Sequence, residues 1–305
     1  MKRRRKCLPG DIIHVYQRAI HGYNLFYTLE DRIVFITMLY HFARKWRVKI
    51  LGVCLMVDHI HILLIPESKE VMSSFVNSYS SMYAKMFNAS CGRTGQLFAK
   101  SFGSAQKIGD KKIRTVIAYL FNNPVEKKMC LRAEEYRWNL LAFGASSHPF
   151  SDPVHNKSKR LSYAMKEVRN YFENDCYLTY NMLKRIMLRM SASEKEQLTD
   201  YIISLNNPTD YTELSRYYGT YENMLIAINS NTGSEYDLHE EYNSYSDAVY
   251  SRICEFMMRC LKIDAKGALA FTEEEKVMVA KSLKARLNVT TRQLCKLLHL
   301  KSLDV

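Results

Sequence analysis

The sequence Asp58-His59-Ile60-His61-Ile62 lies inside a long apolar run, VKILGVCLMVDHIHILLIP. Alternate residues of a strand share a face, so His59 and His61 project together while Ile60 and Ile62 point the other way. Two imidazoles side by side on a rigid strand can chelate one divalent metal. The competing reading is a pair of partly buried histidines satisfied by backbone carbonyls. Asp58 reads either as an outer partner that orients the first histidine or as a charge serving solubility. A second group follows in YLFNNPV, where Tyr119 and Asn123 are four residues apart on a predicted helix and so share one face. Ile113, Val116, Ile117 and Leu120 form the apolar stripe of that helix. Tyr119 borders the stripe and on that ground alone could be core, but Asn123 is an unusual core companion. Tyr79 and Tyr83 are rival hydroxyls, both on the apolar stripe of an earlier helix with Phe75, Met82 and Met86.

The elements that must hold these groups can be read from periodicity. DIIHVYQRA alternates as a strand. Glu30 to Arg47 carries apolar residues three and four apart, which predicts a helix with one face on a sheet. The run containing the histidines is one bent strand or two strands joined near Gly52. Glu70 to Asn88 is a second helix, QLFAKSFGSAQKI a strand, and Asp110 caps a third helix that Pro124 ends near Asn123. This order predicts an α+β sheet covered by helices on one face. Proline, serine and asparagine then cluster in Ser146–Ser158, a linker. The chain beyond is helical, over Arg160–Glu173, Tyr180–Met190, Ser193–Leu205, around Tyr211–Leu214, Ser246–Leu261 and from Thr272 to about Leu287. TTRQLCKLLHLKSLDV has the pattern of a helix-turn-helix (helix Thr291–Leu298, turn His299–Lys301, new helix at Ser302) that stops at Val305, short of a recognition helix. It is either a truncated DNA reader or a packing helix.

The 305 residues are 47% hydrophobic and 25% charged, which excludes wholesale disorder and low-complexity classes. No uncharged apolar stretch is long enough to span a membrane, and the basic N-terminus has no apolar run behind it. Eight scattered cysteines without a C-x-x-C pair fit reduced thiols in a cytoplasm. The net charge of +13 is unevenly placed. Residues 1–145 hold 23 lysines and arginines against 10 aspartates and glutamates, and residues 146–305 hold 21 of each. Concentrated positive charge favours a polyanion, so nucleic acid is the expected partner.

HVYQRAIHG, GVCLMVDHIHILLIP, YAKMFN, GQLFAKSFGSA and YLFNNPVEKKM with EEYRWN after it occur in that order. In these segments the chain resembles the HUH-superfamily single-tyrosine transposases, closest to the REP-associated tyrosine transposases, over about residues 10–145. The resemblance implies a ferredoxin-like antiparallel sheet with helices over residues 1–145; the helical pattern beyond the linker predicts an all-helical domain over 159–305. It implies that Tyr119 attacks a phosphate in single-stranded DNA, keeping a 5′-phosphotyrosine link and releasing a 3′-hydroxyl, with the reverse attack rejoining a strand. His59 and His61 are the implied metal ligands. Relatives take a third ligand four residues after the tyrosine, commonly glutamine; here it is the shorter Asn123. Hairpin-containing DNA is the implied substrate.

The chemistry of the residues agrees with that implication. Phosphodiester transfer needs neutralisation of the non-bridging oxygens and a hydroxyl that loses its proton during attack. Two histidines and an amide oxygen suit Mg²⁺ or Mn²⁺; manganese tolerates imidazole better, while magnesium is more abundant in cells. Arg3, Arg4 and Arg5 form a basic arm, and Lys111, Lys112 and Arg114 open the tyrosine helix; both groups are DNA-binding candidates or solvated surface charge. Tyr136 and Trp138 look like packing that pins the helix to the sheet. The chain is thus expected in the cytoplasm with the nucleoid, as a monomer or a homodimer if the tyrosine acts in trans. The alternatives are a domesticated, non-catalytic DNA-binding regulator of the same fold and, more weakly, a metalloenzyme acting on small molecules.

Overall fold

The computed structural model describes residues 8–99, 102–153, 158–230 and 247–303, so Arg3, Arg4 and Arg5 lie outside the described residues. Strands β1 (Ile12–Arg18), β2 (Lys49–Leu55), β3 (His59–Ile65) and β4 (Gly103–Lys107) form one sheet in the order β2-β3-β1-β4. Each neighbouring pair is antiparallel. Helix α1 (Leu29–Lys45) joins β1 to β2, α2 (Lys69–Cys91) joins β3 to β4, and α3 (Asp110–Glu126) follows β4. The first half is therefore the α+β sheet expected, and the second half is helical. Helix α1 starts at a capping box between Thr28 and Asp31. Helix α2 starts at the hydroxyl of Ser68 and stops at Gly92, whose φ of 66° is a left-handed conformation that glycine adopts without strain.

The helices do not share one face, which corrects the expectation from element order. Helices α1 and α2 cover Ile13, Val15, Ile60, Ile62 and Leu64, whereas α3 covers Leu51, Cys54 and Leu63 on the opposite face. The pleat gives each strand two faces, and the sequence HIHILLI carries residues on both that need cover. The long apolar run is two strands, but they part at Met56–Asp58 and not near Gly52. Gly52 sits instead at a register shift in β2. A Cβ there would lie 3.1 Å from Phe121 Cζ, so the glycine lets α3 approach closely. Three further boundaries differ. The strand expected over Gln96–Ile108 is confined to Gly103–Lys107. Gly109, not Asp110, is the N-cap of α3, with no side-chain cap bond. Pro124 lies inside the helix and does not end it. The amides of Lys127 and Met129 still close onto the carbonyls of Asn123 and Pro124, so the last turn is secured past the ring.

Helices α4 (Lys159–Glu173), α5 (Tyr180–Ile186) and α6 (Ala192–Asn206) bury Leu161, Leu183 and Ile202 in the core under α1 and α2. Helices α7 (Tyr211–Ser215) and α8 (Tyr221–Asn229) give Leu214, Met224 and Ile228 to the core under α3. Helices α9 (Val249–Phe256), α10 (Glu273–Arg286) and α11 (Thr291–Leu298) form a third cluster that takes in Val57 from the β2–β3 turn. All three clusters thus draw on both sides of Ser146–Ser158. Helix α11 has the predicted bounds and a Thr290–Gln293 capping box, but Leu294, Leu297 and Leu298 are fully buried, the behaviour of a packing helix. Lys301–Leu303 do not begin another helix. Among the described residues no helix is long and apolar enough to cross a membrane.

Candidate active site

The β1–β3 register sets Tyr16 opposite His61 and Arg18 opposite His59. His14, Tyr16, His59 and His61 therefore share the face that α3 covers. The His59 and His61 rings are 5.0 Å apart and perpendicular. Helix α3 brings the Tyr119 ring to 5.2 Å from His61, edge on, and to 5.8 Å from His14. One turn later the Asn123 amide nitrogen lies 3.3 Å from His61 Nε2. The residues singled out from the sequence on β3 and α3 thus converge. Tyr79 and Tyr83 lie with α2 on the opposite face of the sheet and are excluded from this group. Tyr136 does pin the assembly, its hydroxyl donating to the Leu55 carbonyl at 2.6 Å.

Hydrogen bonds decide which ring nitrogens carry lone pairs. His59 Nδ1 donates to Asp58 Oδ1 at 2.5 Å, leaving Nε2 as the basic nitrogen. Burial alone would push the Asp58 carboxyl up, but the His59 ring and the Lys296 ammonium, 2.6 Å from Asp58 Oδ2, hold it well below the usual carboxylate range. Asp58 is therefore the outer partner of His59, not a solubility charge. Asn123 donates to His61 Nε2, so His61 carries its proton on Nδ1 and donates to His14 Nε2 at 3.0 Å. Burial, with His59, His14 and nearby cations, keeps His61 neutral by lowering its pKa far below the ordinary value. His14 is lowered to about 3, by burial and then by Lys107.

This donor set suits a hard or borderline divalent cation. His59 and His61 are imidazoles held by outer partners, and the buried Asn123 Oδ1 has no hydrogen-bond partner. Among the described residues no group of three His, Cys, Asp or Glu side chains is gathered for a metal. His61 and Asn123 are fully buried and Tyr119 is 4% exposed. Only His59 of this group lines the adjoining cleft of about 350 Å³.

Residues 1–123 match the family model described as "Transposase IS200 like". That segment is similar to the IS200-like transposases. The match ends at Asn123 and so takes in both histidines and the tyrosine. A solved structure described as "Structure of the REP associates tyrosine transposase bound to a REP hairpin" is similar at 15% identity, covering 52% of this chain and 95% of that one, with a TM-score of 0.41. No curated protein matches.

Sequence reasoning missed His14, Arg18, Lys127, Arg292 and Lys296. The alternation of His14, Tyr16 and Arg18 along β1 was the available signal for two of them. Nothing local in the sequence points from α11 to the β2–β3 turn. Lys111, Lys112 and Arg114 are exposed on the first turns of α3. At 1.5 Å rise per residue they stand roughly 20 Å from the end of α3 where Lys127 meets the cleft. Seven residues before Tyr119, Lys112 lies on its side of the helix, whereas Arg114 points nearly opposite.

Proposed function

We propose that this transposase-family protein is a metal-dependent DNA transesterase that cuts and rejoins single-stranded DNA next to a hairpin. Residues 1–145 hold the catalytic group, and the helical remainder supports it. Tyr119 Oη forms a bond to the scissile phosphorus as the bond to the 3′-oxygen breaks. The tyrosine loses its proton, the departing oxygen leaves as a 3′-hydroxyl, and the strand keeps a 5′-phosphotyrosine that the reverse attack resolves without a nucleotide triphosphate. His59, His61 and Asn123 would hold Mg²⁺ or Mn²⁺, which supplies charge neutralisation on the non-bridging oxygens. The observation that carries this reading is the packing of Tyr119 and Asn123 of one helix against His61.

Tyr119 is 4% exposed, so a strand must open the path from His59 to reach it. That burial favours the second reading, a DNA-binding regulator without chemistry. The two are separated with end-labelled single-stranded hairpin DNA and Mg²⁺ or Mn²⁺, looking for a denaturant-resistant adduct. Wild type is expected to form an adduct that disappears in Tyr119→Phe, in His59→Ala and in EDTA, while DNA binding by Tyr119→Phe persists. Binding without an adduct across a broad hairpin panel supports the regulator. An adduct surviving Tyr119→Phe refutes the nucleophile.

A further inference from the structure

Another cavity, of about 460 Å³, shares only His21 with the cleft above His59 and takes no lining from the candidate catalytic group. Its walls are the turn after β1, the loop after α2, the start of α10 and the turn after α11. Lys276 of α10 lines it and is only 8% exposed. Among the described residues its ammonium has no hydrogen-bond or ion-pair partner. Lysine is rarely buried to this degree unpaired, because an ammonium stripped of water and given no counter-charge is costly. The Lys276 ammonium is not sealed from water, so the cavity is where it emerges.

Two further cations face the same space. Arg93 is half-buried, and all its hydrogen bonds go to neutral acceptors. Its Nε donates to His299 Nδ1 at 3.0 Å, Nη1 to Asn88 Oδ1 at 2.8 Å and to the Gly95 carbonyl at 3.3 Å, and Nη2 to the Gln96 carbonyl at 2.7 Å. Its charge is therefore held in place but not cancelled. Arg93 and Lys276 both reach the His299 ring electrostatically: after burial, they are the charges that lower its pKa to about 3. The exposed Lys301 follows that histidine and likewise has no partner among the described residues. The carboxylate in the lining is Glu273, which is exposed and forms no ion pair with these cations. Arg93, Lys276 and Lys301 against Glu273 leave two positive charges on the cavity.

We infer that this cavity is a binding site for a phosphomonoester, held by Lys276, Arg93 and Lys301. The charge selects the class. A phosphomonoester carries about −1.5 to −2 at neutral pH and offers three acceptor oxygens. A phosphodiester or a carboxylate brings a single charge and leaves the cavity positive. Lys276 has all its donors unspent, and Arg93 keeps an N–H beyond the four bonds above. The group arrives on a free nucleotide or at the 5′ end of a strand, two sources of one chemistry. The site calls on neither Tyr119 nor a metal and so stands apart from the transesterase reading.

The full-length chain is titrated calorimetrically with inorganic phosphate at neutral pH and fixed ionic strength. Lys276→Met is expected to weaken binding by about 10–100-fold, the loss of a charge-assisted hydrogen bond. Lys301→Ala, at an exposed position that does not threaten the fold, should weaken it by less. Lys159→Ala, which removes an exposed charge on α4, should leave it unchanged. Thermal melting supplies a second readout. Without phosphate, Lys276→Met should melt above wild type, because it removes a buried charge that has no protein partner. Phosphate should then raise the Tm of wild type and not that of the variant. A lysine that serves only packing gives the reverse: Lys276→Met melting at or below wild type with its phosphate affinity intact overturns the inference. So does the absence of saturable phosphate binding by wild type at millimolar concentration, or affinities of Lys301→Ala and Lys276→Met equal to that of Lys159→Ala. Two arms distinguish the sources. Tighter binding of thymidine monophosphate than of phosphate assigns the site to a nucleotide. A gain of 5′-phosphorylated dT₄ over unphosphorylated dT₄ that Lys276→Met erases assigns it to a strand end.

Discussion

His14 sets the state of His61. Its Nε2 accepts the proton on His61 Nδ1, and the Asn123 amide then meets a lone pair on Nε2, the nitrogen a metal would use. Outer partners of this kind commonly change metal affinity by about 10–100-fold when removed. His14→Ala is expected to weaken Mn²⁺ binding by that order in isothermal calorimetry. His14→Gln should recover part of it, because an amide oxygen can also accept from Nδ1–H. Equal affinities in wild type and His14→Ala would mean that His61 is held by something else. The sequence made His59, His61, Tyr119 and Asn123 legible because their spacing follows strand and helix periods. His14 escaped notice because its partner is diagonal on a neighbouring strand, a relation fixed only by the register of β1 on β3.

Helix α11 owes its seat to the neutral form of His299. This residue ends the helix with a φ of 55°, accepts from Arg93 Nε at Nδ1 and donates from Nε2 to the Asn24 carbonyl, both at 3.0 Å. Burial, then Arg93, lowers its pKa to about 3. Between that value and the ordinary value near 6.5 the unfolded chain binds the extra proton, so this contribution to stability is complete above 6.5 and is lost as pH falls toward 3. Urea denaturation should show wild type losing about 2 kcal/mol more than His299→Asn between pH 6.5 and 5. Asparagine tolerates the left-handed backbone and has no proton to gain. Parallel curves for the two proteins would refute the assignment. The same scale explains why Pro124 was misread. A proline disfavours helix in the residue before it, but tertiary packing keeps Asn123 helical and delivers its amide to His61.

At the scale of the molecule, Asp31 joins segments far apart in the chain. It lies in the first turn of α1, accepts from the amides of Tyr27 and Thr28, and is fully buried. Tyr180 of α5 donates to it at 2.7 Å and Lys266, just before the 3₁₀ turn at Gly267–Ala270, at 2.5 Å. Removing one partner of a buried ion pair leaves the other charge uncompensated and costs about 3–5 kcal/mol. Lys266→Met is expected to lose stability of that order in chemical denaturation, in a single transition that reports on both halves of the chain together. A separate early transition of the C-terminal helices, with the sheet intact, would show that the halves fold independently. Gly52→Ala is a smaller test of the same tight assembly. Its Cβ would press on Phe121, and overpacking of this kind costs about 1–3 kcal/mol, read as a lowered Tm.

Local pattern determined the kind and order of elements in the first half, the shared face of the two histidines, the helical pairing of Tyr119 with Asn123, and the bounds of α11. These follow from periods of two and 3.6, which neighbours along the chain enforce. Tertiary structure alone decided the two-faced cover of the sheet, the tautomer of His61 and the exclusion of Tyr79 and Tyr83. It also set α11 beside His59. The second half carries no net charge in sequence, yet it brings Arg292 and Lys296 to the cleft. Net charge sums over a segment, whereas a ligand meets only the side chains that folding gathers on one surface.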